Sequence, residues 1–388
     1  MAIILFDNAV RAHFYPLTQT RAIAGLRMGI VTIRERWSLW TREPVYVHTT
    51  GYLQELYESP AAETHLWIDA TVLPSAELLS ALSDIEEGSC LADEQGLIAG
   101  KTQIAFESFN PANGLHYFKE VRKYAQARRI QHPWHLTQYN DFLLRQDFDL
   151  LVEGRNSQPI PETNCVSQPE AIFIEEGAVV EHCIINAATG PVYIGKNATI
   201  MEGSAIRGPF ALGEGAVVKM NSRIYGATTI GPWCMGGGEI KNSILMGYSN
   251  KAHDGYLGDS VVGEWCNFGA GATNSNVKNT AGIVQVWDEQ GGAFIPAAQK
   301  CGVFMGDYSR VAINASINTG SVIGVSCNVF GNGLLPKRIK DFSWGTEGAV
   351  YELDKALEDI GNWKKMKQQT VSEAEASVLA FIFAHHSK

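Results

Sequence analysis

Glu239, Lys241, Lys251, His253, Asp254, Tyr256 and Asp259 crowd into one short stretch, the densest run of chemically capable side chains in this chain. An imidazole with an ordinary pKa near 6.5 can accept a proton at near-neutral pH, so His253 has the properties of a general base. Asp254 and Asp259 are each close enough in sequence to hold its ring, and spacing does not choose between them. A single histidine in a polar loop is more often only solvated, so its surroundings decide its role. Asn267 and Asn276 follow, either as hydrogen-bonding amides or as corner residues in left-handed backbone. Lys241 also has a plain reading, as an exposed turn lysine.

These side chains need a scaffold, and its period is visible. Aliphatic residues recur every six positions at Ile194, Ile200, Ile206, Leu212, Val218, Ile224 and Ile230. Small residues trail most of them at Ala198, Ser204, Ala216, Ser222, Thr228 and Cys234, with Phe210 the one exception. A helix repeats near 3.6 and a lone strand near 2, so a strict six predicts a coil of short strands with small residues at its corners. The beat starts at Ile174 and Val180 and returns at Met305, Val311, Ile317, Ile323 and Val329. It slips at 186–191 and 236–238, and a long insertion spans 277–302. Such slips mark loops leaving a solenoid, where binding groups collect.

The first 155 residues lack this beat. Ala2–Phe6, Val45–His48 and Leu66–Ile68 read as strands, and 77–82 and 118–128 as helices, giving an α/β domain with a mainly parallel sheet. Proline and polar residues make 156–170 a linker into a coil over 171–345. A helical tail fills 346–388, with Ser372 and Glu375 spaced as a capping box. The chain has 388 residues, 45% hydrophobic, and a formal charge of −10. That charge offers no basic stripe for nucleic acid. Ala2–Phe6 is too short for a signal peptide and no run of eighteen apolar residues occurs, so no membrane partner and a cytoplasmic location are expected. Seven scattered cysteines without a Cys-x-x-Cys pair argue against a metal or disulfide framework. Cys183, Cys234, Cys266 and Cys327 fall in or near the small slot and read as apolar filler.

Glu239-Ile-Lys-Asn-Ser243, a histidine three residues before Tyr256-Leu-Gly-Asp259, and Asn267-Phe-Gly-Ala-Gly-Ala272 with Asn276 together resemble a known acetyltransferase domain. It belongs to the bifunctional N-acetylglucosamine-1-phosphate uridylyltransferase/glucosamine-1-phosphate N-acetyltransferase family. The match runs from Arg223 to Asn276, and reaches the remaining coil only through the repeat. The resemblance implies a left-handed parallel β-helix that forms a homotrimer and moves an acetyl group from acetyl-CoA to an amino-sugar 1-phosphate. His253 takes the position of the base, and Arg223 and Lys241 lie around the phosphate, a dianion suited to a guanidinium and an ammonium. Glu239, Tyr256, Asn267 and Asn276 complete the substrate pocket. Ala270 falls on the acetyl-CoA side, and Lys337 and Arg338 suit coenzyme A phosphates or form a solvated basic turn with Lys340. Past Asn276 the family's Asn-Tyr-Asp-Gly turn is replaced by Asn276-Val-Lys-Asn279, and the insertion with Trp287, Phe294 and Pro296 either reshapes or covers the acceptor pocket.

Pro16-Leu-Thr-Gln-Thr-Arg21, followed by Leu26-Arg-Met-Gly-Ile30, resembles the start of sugar nucleotidyltransferases. In that family a glycine-rich phosphate loop comes first. Here the turn reads Asp7-Asn-Ala-Val-Arg-Ala-His-Phe14, with no glycine to close backbone amides on a triphosphate. Arg11, Arg21 and Arg27 then become the candidates for nucleotide phosphates. Asp69 is similar to the family's metal-binding aspartate, hence a Mg2+ candidate, or else a strand-end residue capping its own turn. The sequence therefore supports three expectations: an amino-sugar-phosphate N-acetyltransferase; a sugar-1-phosphate nucleotidyltransferase on UTP or dTTP with the coil only trimerising; or a non-catalytic sugar-nucleotide binder.

Overall fold

The computed structural model describes residues 1–61 and 64–385. Two compact units emerge: Met1–Phe14, Thr20–Leu26 and Val31–His132 form one, and Tyr15–Gln19, Arg27–Ile30 and Pro133–Lys388 the other.

The first unit is built on a six-stranded sheet. Ala2–Phe6, fully buried, sits between Val45–His48 and His65–Asp69 in parallel register. The sheet then turns antiparallel through Gly96–Thr102 and Ser89–Asp93, and ends on Glu120–Lys123, parallel to its neighbour. Only Gly96–Thr102 runs against the other five strands, so the sheet is mainly parallel, as expected, with one antiparallel strand inserted. Ala76–Ser83 is helical as expected, capped by the Ser75 hydroxyl. The expected helix over 118–128 is instead the edge strand Glu120–Lys123 and a two-residue bridge, Arg128–Arg129. Sheet-edge hydrogen bonds override local helical pattern there.

The second unit is a left-handed parallel β-helix of hexapeptide coils with three faces. Val192 pairs with Phe210 and Phe210 with Thr228, so a full coil takes eighteen residues, six per face. The periodic aliphatics point inward as one core, together with Cys183, Cys234, Cys266 and Cys327. The residue before most of the small ones adopts left-handed backbone: Asn197, Asn221, Trp233, Asn242, Tyr248, Asp259 and Trp265 all have φ between 47° and 59°. The chain turns so tightly there that the next side chain faces the crowded interior, and Ala198, Ser204, Ser222 and Cys234 are fully buried. Phe210 breaks the small-residue rule because it belongs to a strand, paired between Val192 and Thr228.

Two coils are short. Thr229 pairs with Ile244, and Ile244 with Val261. These hold the slip at Gly236–Gly238 and most of the candidate chemistry. The next coil is long, Val261 pairing with Phe304, and its insertion contains the hairpin Gln285–Asp288/Ala293–Pro296.

The sequence boundaries shift at two points. Cys165–Ser167, inside the expected linker, already pairs with the coil at Ile184–Asn186. Residues 133–155 and the motif segments 15–19 and 27–30 belong to the second unit. Polar stitching explains this: Asn140 on the helix Asn140–Val152 accepts from Gly29 N at 2.6 Å and donates to Ala227 O at 2.8 Å. Asp147 accepts from Ile30 N at 2.8 Å, and Tyr15 donates to Asp341 at 3.1 Å.

The tail forms helices Leu353–Lys365 and Glu373–His385; residues 386–388 lie outside the described residues. The Ser372–Glu375 capping box is present. Glu375 also accepts from Tyr308 and pairs with Lys364, tying the tail to its own coil. No described helix is long and apolar enough to cross a membrane.

Candidate functional site

Arg223–Tyr225, Glu239–Lys241 and Tyr256–Gly258 lie side by side on one face. Ile224, Ile240 and Leu257 point inward, so the alternation of the strand turns their neighbours outward. The register stacks Arg223, Glu239 and Tyr256 in one row, and Tyr225, Lys241 and Gly258 in the next. Residues spread over thirty-four positions thus come within adjacent rungs, about 4.8 Å apart.

The side chains in these rows interact. Arg223 Nε lies 3.9 Å from Glu239 Oε2, and the Tyr225 hydroxyl donates to Glu239 Oε1 at 2.6 Å. Lys241 Nζ sits 5.7 Å from the Tyr225 ring centre. That hydrogen bond to a carboxylate, then burial, raises the Tyr225 phenol above its ordinary pKa. Burial, then the Asp259 charge, raises Tyr256 further. Both phenols are therefore donors at neutral pH. The Asn276 amide donates to Tyr256 Oη at 3.1 Å and to Asp259, whose other oxygen accepts from Asn242 at 2.7 Å.

His253 is exposed on the corner leading from Asn250–Lys251 to Tyr256–Gly258. Its backbone carbonyl accepts from buried Lys251. Neither expected aspartate holds its ring: Asp259 is occupied by the two asparagines, and Asp254 is exposed without a side-chain hydrogen bond among the described residues. Ala270 occupies the same corner one coil on, where Gly271 N donates to Asp254 O. Asn276 joins the Tyr256 cluster. Asn267 lies elsewhere, on the adjoining face between Asn250 and Arg310. Neither asparagine is one of the left-handed corner residues.

Sequence reasoning passed over Tyr225, Asn242 and Arg207. Tyr225 was findable as the outward neighbour of Arg223, since i and i+2 share a face. Arg207 pairs with Asn186 on the neighbouring strand and joins Arg223 and Tyr225 in lining an open 280 Å³ groove.

Lys337 and Arg338 serve the hairpin. Arg338 grips the Glu289 carboxylate at 2.9 and 3.1 Å and lies 4.0 Å over the Trp287 ring, while Lys337 donates to Gln285 O at 3.2 Å. Burial, then nearby Lys278, lowers the Lys337 pKa. These contacts correct the expectation of a free basic turn.

In the first unit Asp69 is buried and its oxygens are filled. One takes Asn8 Nδ2 at 2.7 Å and Arg129; the other takes the Thr71 amide at 2.9 Å and hydroxyl at 2.8 Å. Arg129 also forks onto Asp93 at 2.8 and 3.1 Å and donates to Leu97 O at 3.0 Å. A Mg2+ ion needs free carboxylate oxygens, and this set does not fit one. No cluster of three His, Cys, Asp or Glu able to hold a metal occurs among the described residues. Asp69 is the turn-capping residue of the alternative reading. The three arginines also separate. Arg11 pairs with Asp7 at 3.4 Å and donates to Tyr52 at 2.8 Å; Arg21 is buried; Arg27 lies in the second unit, donating to Met246 O at 3.0 Å.

The architecture is that of a hexapeptide β-helix and an α/β unit, and the chain is similar in sequence to known proteins over both. Residues 3–156 match the family model described as sugar nucleotidyl transferase. The bifunctional protein GlmU of Methanocaldococcus jannaschii is 28% identical over 228 residues, 59% of this chain and 48% of that protein. A bifunctional sugar-1-phosphate nucleotidylyltransferase/acetyltransferase of Sulfurisphaera tokodaii is 35% identical over 92 residues, 24% of this chain and 23% of that one. The chain thus spans at most about half the length of these curated relatives. Among solved structures, the UDP-N-acetylglucosamine acyltransferase of Campylobacter jejuni matches 58% of this chain and 96% of its own at 16% identity, with a TM-score of 0.34. In sequence the chain is thus similar to bifunctional GlmU proteins over part of its length.

Proposed function

We propose that this chain is an acetyl-CoA-dependent N-acetyltransferase acting on an amino-sugar 1-phosphate of the glucosamine 1-phosphate class, in nucleotide-sugar biosynthesis. The observation that carries the reading is the convergence of Arg223, Glu239, Lys241 and Tyr256 on one face of the short coils, beside the His253 corner. Arg223 and Lys241 hold the phosphate, and Tyr256 and Asn276 offer hydrogen bonds to sugar hydroxyls. The amine attacks the thioester carbonyl; the C–N bond forms, the C–S bond breaks, and the thiolate leaves as coenzyme A. His253 takes the proton the amine sheds. The exposed face and corner suit a homotrimer in which a neighbouring copy covers the site, with Ala270 on the acyl-donor side, in a cytoplasmic protein.

Thiol release from acetyl-CoA with glucosamine 1-phosphate tests this directly. Release by the native protein, falling about 10²–10⁴-fold in His253→Ala, supports the base assignment. No release by the native protein removes this substrate.

Nucleotidyl transfer in the first unit is the second reading, favoured by the family match over residues 3–156. The occupied Asp69 opposes a Mg2+-assisted version. Mg2+-dependent turnover of UTP or dTTP, abolished in Asp69→Ala, would establish it; tight sugar-nucleotide binding without turnover would leave a binding role.

A further inference from the structure

Lys251 breaks the rule of its own ladder. On its face the inward positions of the other coils hold Ile200, Val218, Gly236, Phe268, Val311 and Val329, and all these larger side chains are core residues. Lys251 stands in register with Gly236, its residue only 1% exposed, in a slot an apolar residue fills elsewhere. A buried ammonium is costly unless hydrogen bonds repay it, so a lysine here calls for a reason beyond packing. The side chain stays in the interior, and its ammonium reaches the corner from inside. There it donates to Gly237 O at 3.2 Å and to the carbonyl of His253 itself.

The two corners are stacked closely. A Cβ on Gly237 would lie 2.3 Å from Ala252 O, and one on Gly238, at φ +71°, would lie 2.8 Å from His253 O. Glycines at both positions let the backbone of the 252–255 corner rest directly on the coil before it. The interior ammonium then joins those layers through one carbonyl of each. Burial lowers the Lys251 pKa to about 8, against the opposing charge of Asp254, which is the strain expected of an ammonium kept in a core.

We infer that Lys251 is a positioning residue, an internal clamp that fixes the corner bearing His253 relative to the Arg223–Tyr256 face. The inference rests on the reading of His253 as the base. Stability is given up for geometry at this position: a Met side chain of similar length would fill the slot without a buried charge, yet would release the corner.

Lys251→Met in the full chain, with His253→Ala beside it in the thiol-release assay, tests the clamp. The expected result is a kcat lowered about ten- to a hundredfold, as misplacement of a base by an ångström produces. KM for glucosamine 1-phosphate should stay within about twofold, and the thermal midpoint should be unchanged or higher. Amides 252–256 should exchange hydrogen faster while the neighbouring coils do not. Native kcat in Lys251→Met, where His253→Ala is inactive, overturns the clamp and leaves the base reading standing. Failure to fold, or a lower midpoint, also overturns it, since Lys251 would then be structural. Full activity in His253→Ala removes the base reading. In that case the exchange of amides 252–256 still decides whether the clamp exists, with faster exchange upholding it and unchanged exchange overturning it.

Discussion

Asp69 and His253 are the two residues whose sequence context most invites a catalytic assignment, and their surroundings differ in kind. Asp69 is 2% exposed and its two oxygens take four hydrogen bonds, one of them from Arg129. His253 is exposed and its ring has no hydrogen bond among the described residues. A buried carboxylate satisfied by its own chain is finished as a structural element, because any ligand must first displace good partners. An exposed imidazole beside a row of outward cations and hydroxyls has its bonding capacity still to offer. The same contrast separates Lys337 and Arg338, committed to the hairpin, from Arg223, whose Glu239 contact is long and half-exposed.

The largest test of this contrast is His253→Ala, expected to lower kcat about 10²–10⁴-fold with the fold intact by circular dichroism; activity within threefold of native would erase the distinction. Arg129→Leu should act in the opposite sense. It leaves Asp69 and Asp93 facing each other without a counter-charge, and chemical denaturation should show the first unit weakened by about 3–5 kcal/mol, with acetyl transfer unaffected. A silent Arg129→Leu would mean that Asp69 is available for a ligand after all.

Arg223→Ala should raise KM for the sugar phosphate, by about ten- to a hundredfold if the lost bond is worth roughly 1.5–3 kcal/mol, while kcat changes little. A fall in kcat at constant KM would move Arg223 from phosphate holding to the chemical step.

The smallest effect concerns Asp7, buried just past the end of the strand Ala2–Phe6. Burial raises its pKa to about 6, outweighing its bonds from Thr49 at 2.6 Å and Ile23 N at 2.9 Å. The folded state holds this proton more tightly than the unfolded chain does. Its stabilisation is therefore full below the unfolded value of 3.8 and lost as pH rises through about 6. Acidification from pH 7 to 5 should strengthen the first unit by about 1 kcal/mol through this group. Hydrogen exchange in the strand Ala2–Phe6 should register the change in native protein and lose it in Asp7→Asn.

The β-helix was legible almost residue by residue, and the first unit was not. A strict six-residue beat leaves one arrangement in which Ile194, Ile200 and Ile206 all face one interior with Ala198 and Ser204 at the turns, so local pattern and global fold coincide. Over 118–128 they conflict. The residues look helical, but the sheet edge beside Ser89–Asp93 needed a partner, and the backbone hydrogen bonds of Glu120–Lys123 went there. The motif segments 15–19 and 27–30 read as nucleotide chemistry, yet Gly29 and Ile30 offer their amides to Asn140 and Asp147, partners more than a hundred positions away.

What the sequence by itself determined is the coil, its inward ladder, its slips and therefore the strands that carry Arg223, Glu239, Lys241 and Tyr256. These follow from short-range periodicity, which needs no knowledge of distant neighbours. Only the tertiary structure decided which polar groups are spent: Asp69 on Arg129 and Thr71, Asp259 on Asn242 and Asn276, Arg338 on Glu289. Hydrogen-bond saturation depends on where separate segments meet in space, and the same aspartate or arginine reads identically in sequence whether its partners are protein or ligand.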